Sequence, residues 1–330
     1  MKVLITGGGG FLGSHLADAF IARGDEISIM DNGSVGKVRH LMGKPAFHYV
    51  RDSIFNLDIL EGLIAKADLI YHLAAVVGVE YYVGDPYEVL NVNVNGTQNV
   101  LKLAFKHQKK VVFSSTSEVY GRNPKVPWRE DDDRVLGSTR IDRWCYSTSK
   151  AVGEHFCFAY HQMGLPVTVV RYFNVYGPRL DRLDVGRVIT IFLGQALRGD
   201  PVTVIGDGQQ TRCFTYVEDA VRATVAAGVQ PNTDGELFNI GTDTETTIAE
   251  LARQVIALTD SRSRIEFVPQ QSVYGPSYED IQRRVPDVSK MHAILGVQAE
   301  TPLADGLRQT IDWFLRQREF PSATRVTASD

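Results

Sequence analysis

Apolar residues follow two alternating rhythms through the first half of the chain. Short unbroken runs read as strands buried on both faces, and between them apolar positions recur at helical spacing. Lys2–Thr6 is the first such run, and Phe11, Leu12, Leu16, Ala19 and Phe20 then mark a helix. The strand rhythm returns at Glu26–Met30, Phe47–Asp52, Asp68–His72, Lys109–Ser115 and Pro166–Arg171. The helical rhythm returns at Ile54–Ala65, at Pro86–Phe105, and from Tyr146 to about Gly164. Strands alternating with helices predict an α/β chain with a doubly wound parallel sheet.

Beyond Tyr172 the alternation weakens. Helical patterns at Val185–Arg198, Val217–Gly228, Thr247–Leu258 and Pro302–Arg316 are mixed with short strand patterns at Val202–Val204, Leu237–Ile240 and Arg264–Val268. This predicts a smaller C-terminal α/β lobe. We place a first domain at 1–175, with segments near 213–240 returning to it, and a lobe interleaved with it at 176–320. Residues 321–330 read as a disordered tail.

The join between the first strand and the first helix carries glycines at positions 7, 10 and 13. Glycine permits a sharp turn and lets a pyrophosphate approach the N–H groups that open the helix, where the dipole favours negative charge. Gly7, Gly10, Phe11, Leu12 and Gly13 are therefore candidate dinucleotide contacts in a Rossmann-type domain. The second strand ends in Asp31, followed by Asn32. A carboxylate there accepts hydrogen bonds from the adenosine ribose and repels a 2′-phosphate, which predicts NAD rather than NADP. Asp52 ends the third strand and is placed to meet the adenine. Leu73, Ala74 and Ala75 supply small side chains beside a flat cofactor, and Asn93 is a buried polar residue on the long helix that ties elements together.

Composition narrows the classes. The 330 residues carry a net charge of −4, so no polyanionic nucleic acid is indicated as a partner. No apolar run is long enough for a membrane span. The three cysteines, Cys145, Cys157 and Cys213, lack CxxC spacing and leave one unpaired in any disulfide scheme. We read them as reduced thiols in a cytosolic enzyme, and expect no metal site.

Candidate chemistry gathers at two places. Tyr146 and Lys150 stand four apart and share one helix face. A phenol's reference pKa is about 10, and a cation held beside it favours phenolate and brings that value toward the range of a working base. Ser115-Thr116-Ser117-Glu118 ends the fifth strand, at the edge where open parallel sheets bind ligands. Arginines at 179, 187, 212, 283 and 284 recur across the lobe and suit a diphosphate through paired N–H donors.

TGGGGFLG at 6–13, Thr116 and Tyr146-x-x-x-Lys150 together resemble the extended short-chain dehydrogenase/reductases that modify nucleotide sugars. The likeness continues through RYFNVYGPR (171–179), VTVIGDGQQTRCFTYVEDA (202–220) and RRVPD (283–287), nearly the whole chain. It implies a tightly bound, recycled NAD, a UDP-sugar substrate and a homodimer formed through the Pro86–Phe105 and Tyr146 helices. It implies that Thr116, Tyr146 and Lys150 act around the sugar 4-hydroxyl and the nicotinamide, with Tyr172 beside the cofactor. Asn174, Arg212 and Arg284 match positions that hold the diphosphate or its ribose; Arg179, Arg187 and Val188 join them.

One first step, oxidation at C4, serves epimerases, 4,6-dehydratases and uronate decarboxylases. Ser117-Glu118 after Thr116 is similar to the UDP-glucuronate decarboxylases, although mannose-type dehydratases share Thr-Ser-Glu. Cys213-Phe214 after Arg212, Gly186-Arg187-Val188, and Arg143-Trp144-Cys145-Tyr146 point the same way. Ser117, Glu118 and Arg212 are then implied in the chemistry, giving UDP-xylose or the 4-keto pentose. The segment Val76–Tyr82 departs from the decarboxylases and is closer to the uronate 4-epimerases, with Tyr82 left to supply a hydroxyl. A UDP-glucuronate 4-epimerase and a 4,6-dehydratase stay open as alternatives. A non-catalytic dinucleotide-binding protein would show damage at Thr116, Tyr146 or Lys150, and all three are intact.

Overall fold

The computed structural model describes residues 1–33, 35–269 and 281–318. Seven strands form one parallel sheet. They are β1 (Lys2–Thr6), β2 (Glu26–Asp31), β3 (Phe47–Arg51), β4 (Leu69–His72), β5 (Lys110–Thr116), β6 (Val167–Tyr172) and a late strand, Leu237–Ile240. Their order is β3-β2-β1-β4-β5-β6 and then the late strand, which pairs parallel with β6 in the register Leu237 to Val169.

Side-chain alternation explains why this sheet is covered on both faces. On β1, Val3 and Ile5 join one core with Phe20 and Val221, whereas Leu4 faces a second core with Ile64, Val100 and Phe113. On β4, Tyr71 and Ile70 divide in the same way. Helices α1 (Phe11–Ala22) and α8 (Val217–Val229) contribute to the first core. Helices α2 (Leu57–Lys66), α5 (Thr97–Lys106) and α6 (Arg143–Gln162) contribute to the second.

Two segments differ from the sequence expectation. The helix expected over Pro86–Phe105 is α4 (Pro86–Leu90), a π-helical turn at Asn91–Gly96, and then α5. Asn93 in that turn is buried and holds Val76 through both its N–H and C=O, at 2.8 and 3.2 Å. It also donates to Ser149 Oγ of α6 at 3.1 Å. A widened turn of this kind lets a polar side chain leave the helix spacing to reach two other elements. In addition, the segment after β4 contains a short helix, α3 (Val79–Gly84), that brings Tyr82 over Tyr146.

The remaining described elements include α7 (Val188–Arg198), α9 (Ile248–Leu258), α10 (Leu303–Arg318), short helical turns and short strands. Thr211–Cys213 lies between Glu245–Thr247 and Arg283–Arg284 in a three-stranded sheet, which carries Arg212 and Arg284 to adjacent positions. Val202–Ile205 pairs with Ile265–Val268. The tail from Pro321 lies outside the described residues.

Candidate active site

One cleft of about 1210 Å³ runs from the glycine turn to the three-stranded sheet of the lobe. Its dinucleotide end is lined by Gly7, Gly10, Phe11, Leu12 and Gly13, by Asp31, Asn32 and Asp52, by Leu73, Ala74 and Ala75, and by Tyr172. Its lobe end is lined by Asn174, Arg187, Val188, Arg212 and Arg284. Between them stand Tyr82, Thr116, Ser117, Glu118 and Tyr146.

The glycines have separate physical reasons. Gly7 has φ +72°, and a Cβ there would stand 2.6 Å from the backbone N of Ala74. A Cβ on Gly13 would lie 2.5 Å from Gly8 Cα, so the helix packs directly on the turn. Gly10 caps α1 without a side-chain hydrogen bond, and α1 has no acid in its first turn. The helix thus presents bare N–H groups to the cleft, as a pyrophosphate requires. Asp31 accepts from Gly9 N at 2.9 Å and from Gly33 N at 2.8 Å, which fixes its carboxylate at the strand end. This cradle fits NAD.

Glu118 is the most constrained group in the cleft. Its backbone N–H donates to Thr116 Oγ1 at 3.2 Å. Its carboxylate accepts from Arg284 Nη2 at 2.7 Å and lies 3.3 Å from Arg143 Nη2. Burial works to raise the Glu118 pKa, but Arg143, Arg284 and Arg212 outweigh it and hold the carboxyl at about 2. A carboxylate so held is an anion throughout the physiological range and has no proton to give.

Tyr146 stands between opposed influences. Burial pushes its pKa up and the charge of Glu118 pushes it further. Arg187, a hydrogen bond with Thr116, and Arg284 oppose the shift and only reduce it. Lys150 lies behind the cleft wall. Its ammonium donates to the Ser114 carbonyl at 2.8 Å and sits 5.0 Å from the centre of the Phe113 ring. Burial lowers the Lys150 pKa to about 8. The pair shares one helix face as expected; burial and the Glu118 anion raise the Tyr146 pKa, and the Lys150 ammonium is committed to a carbonyl.

Two further expected site residues stand away from the cleft. Asn93 serves as the strut described above. Arg179 turns from the cleft at φ +63° and donates to Asp18 Oδ2 at 2.6 Å and to His15 Nδ1 at 2.7 Å. It fastens the start of the lobe to α1, a consequence of the left-handed backbone at that residue. Conversely, Arg143 and Lys37 line the cleft without having been singled out as site residues. The signal for Arg143 was available, since it precedes Tyr146 by three residues on one helix and must share its face. Nothing in the spacing marks Lys37.

Behind the end of β5 lies a buried pair. Glu154 accepts from Arg171 Nε at 2.9 Å and Nη2 at 2.6 Å, and from Ser115 Oγ at 2.5 Å. This ties β5, β6 and α6 together one residue from Thr116.

A seven-stranded parallel sheet, a glycine turn opening α1, a strand-end acid and a Tyr-x-x-x-Lys helix against one cleft define an extended short-chain dehydrogenase/reductase. The model of the NAD dependent epimerase/dehydratase family matches residues 3–241, and the chain belongs to that family. NAD is the cofactor its cradle and family define. The chain is 43% identical over 316 residues to UDP-N-acetyl-alpha-D-glucosaminuronate decarboxylase of Bacillus cytotoxicus, across 95% of this chain and 97% of that protein. It is 38% identical over 322 residues to UDP-glucuronic acid decarboxylase 1 of Danio rerio, across 96% of this chain and 73% of that protein. The crystal structure of UDP-glucuronic acid 4-epimerase from Bacillus cereus, in complex with UDP-glucuronic acid and NAD, matches with a TM-score of 0.86 at 30% identity. That match covers 96% of this chain and all of the other, 100%.

Proposed function

We propose that the protein decarboxylates UDP-glucuronate, or its 2-acetamido counterpart, giving the UDP-pentose without net oxidation when the hydride returns to C4, or the 4-keto pentose and NADH when it does not. The observation that carries this reading is the Glu118 carboxylate pinned by Arg284 and Arg143. A 4,6-dehydratase must protonate a leaving hydroxyl, and a carboxylate paired with two guanidiniums is held ionised, the wrong state for that task. A carboxylate leaves as carbon dioxide and needs no such acid. The curated relatives named above are decarboxylases, which weighs in the same direction.

Tyr146 takes the proton of the sugar O4 as the phenolate, the form that the Lys150 ammonium and the charge of NAD⁺, when bound, would favour, while the Thr116 hydroxyl, hydrogen-bonded to Tyr146, orients that oxygen. NAD⁺, when bound, supplies the acceptor and later the donor of the C4 hydride, together with a fixed positive charge near the phenol. The 4-keto uronate is a β-keto acid. Its C5–C6 bond breaks, the electron pair passes to O4, and carbon dioxide departs. Hydroxyls of Tyr146 and Thr116 then hold the enolate oxygen, a contribution of about 3–4 kcal/mol per donor. Ser117 and Glu118 position the ring, and Arg212, directly or through a water it polarises, returns a proton to C5. Asn174, Arg187 and Val188 line the end of the cleft suited to the diphosphate and uridine.

A second reading, 4-epimerisation of UDP-glucuronate, is favoured by the Bacillus cereus structural match and by the likeness of the Val76–Tyr82 segment to the uronate 4-epimerases. Incubation with UDP-glucuronate and with UDP-N-acetylglucosaminuronate, following carbon dioxide and the nucleotide sugars, decides between them. Gas with a UDP-pentose is expected. UDP-galacturonate without gas overturns the decarboxylase reading. We also propose a cytoplasmic homodimer, with α4, α5 and α6 at the interface; a monomer in sedimentation at micromolar concentration would refute the dimer. Among the described residues no helix is long and apolar enough to cross a membrane.

A further inference from the structure

Arg143 opens α6 three residues before Tyr146, so both side chains leave one face of the helix within a single turn. It is 3% exposed and still lines the cleft. Its Nη2 lies 3.3 and 3.4 Å from the two oxygens of Glu118, longer than the roughly 2.7–2.9 Å of a tight charge-assisted bond. From the other side Arg284 meets Glu118 at 2.7 Å, and its buried Nε has no hydrogen-bond partner among the described residues. This corner of the cleft therefore carries a positive potential, set by two guanidiniums against one largely buried carboxylate. An anion entering it is rewarded, and a neutral hydroxymethyl group is not.

The position of this corner matches one part of a hexuronate. Tyr146 and Thr116 address O4, on ring carbon C4, and the carboxylate is carried by C5, the adjacent ring carbon. A cation one helical turn before Tyr146, with Cβ atoms about 5–6 Å apart, can reach a group on the carbon next to C4. The diphosphate is carried by C1, across the ring, and Asn174 and Arg187 line the cleft where it would lie.

We propose that Arg143 is the specificity residue for the sugar carboxylate, binding it while Tyr146 and Thr116 hold O4. This rests on the reading that the substrate is a UDP-hexuronate. When the C5–C6 bond breaks, the charge moves to O4 and carbon dioxide leaves neutral. Arg143 thus acts on binding of the uronate and not on the breaking of the bond.

The test compares affinities of the NAD-loaded protein for UDP-glucuronate and UDP-glucose by calorimetry, in wild type, Arg143→Gln and Arg143→Lys. The glutamine variant is expected to bind UDP-glucuronate about tenfold or more weakly, a step of one decade in Kd. UDP-glucose affinity should stay within about twofold, and KM for the uronate should rise more than kcat falls. The lysine variant keeps the charge without the planar fork and should lie between. Equal weakening toward both ligands, or an unchanged preference in either variant, overturns the proposal; the lysine variant decides if the glutamine variant does not fold. A wild type with no preference for UDP-glucuronate or its acetamido counterpart over UDP-glucose overturns the hexuronate reading instead.

Discussion

Arg284 donates to Glu118 at 2.7 Å across 166 residues of sequence, fastening the last strand of the lobe to the end of β5. Both groups are nearly out of solvent, with side-chain exposures of 8% and 13%. The bond makes Glu118 a structural anion as well as a site residue, and it sets the sign of a stability effect.

The Glu118 carboxyl is lowered in the folded protein from 4.5 to about 2. It therefore contributes stability above pH 4.5, and that contribution is lost as pH falls from 4.5 through about 2. The shift corresponds to about 3 kcal/mol at neutral pH. Glu118→Gln leaves two guanidiniums without their carboxylate and should unfold at lower urea at pH 7. Urea titrations at pH 7 and pH 4 should show the gap between variant and wild type narrowing at the lower pH.

Lys150 has the opposite sign. Its folded pKa is lowered from 10.5 to about 8, so holding the ammonium destabilises the fold below about pH 8, and stability is regained as pH rises from 8 to 10.5. The effect is about 3 kcal/mol, against about 1 kcal/mol for the lost bond to Ser114. Lys150→Met should raise the melting temperature at pH 7 and still reduce turnover by at least about a hundredfold. Calorimetry and an assay on the same preparation check both halves.

Asp31 holds the loop through Gly9 and Gly33 while its strand-end carboxylate faces the cleft. Asp31→Ser is expected to weaken NAD about tenfold or more and to weaken NADP less, because the 2′-phosphate no longer meets an anion. Fluorescence titration with both dinucleotides gives the ratio.

Glu154→Ala strips Arg171 of its bidentate partner in a site where both side chains are under 10% exposed. Removing one member of such a pair destabilises by about 3–5 kcal/mol. Equilibrium urea unfolding measures it, and Glu154→Gln should recover part of the loss by keeping an acceptor for Ser115.

The sheet and its glycine turn were legible because strands buried on both faces are written as unbroken apolar runs, and because the turn permits little besides glycine. Thr116, Tyr146 and Glu118 were legible as positions, since a strand end and a helix spacing place them. Their ionisation was not. A four-residue spacing says that Lys150 shares a face with Tyr146. It does not say that the ammonium points to Ser114, nor that Glu118 lies close enough to push the phenol up. Arg179 shows the same limit: its basicity suggested a phosphate, and its left-handed backbone aims it at Asp18. The π-helical turn escaped for a related reason, since Asn93 reads as one more polar residue until Val76 and Ser149 are seen on either side of it.

The last sheet strand, Leu237–Ile240, reaches β6 only after the chain has left for the lobe and returned. A chain emerging from the ribosome up to residue 175 would hold the whole glycine turn, Thr116 and Tyr146, and yet carry β6 as an open edge. Co-translational completion of the redox half therefore waits on residues 237–240, by which point much of the lobe has also been made. A truncated dinucleotide-binding fragment is accordingly expected to self-associate along that edge, which makes the whole chain, and not its first half, the natural unit for engineering.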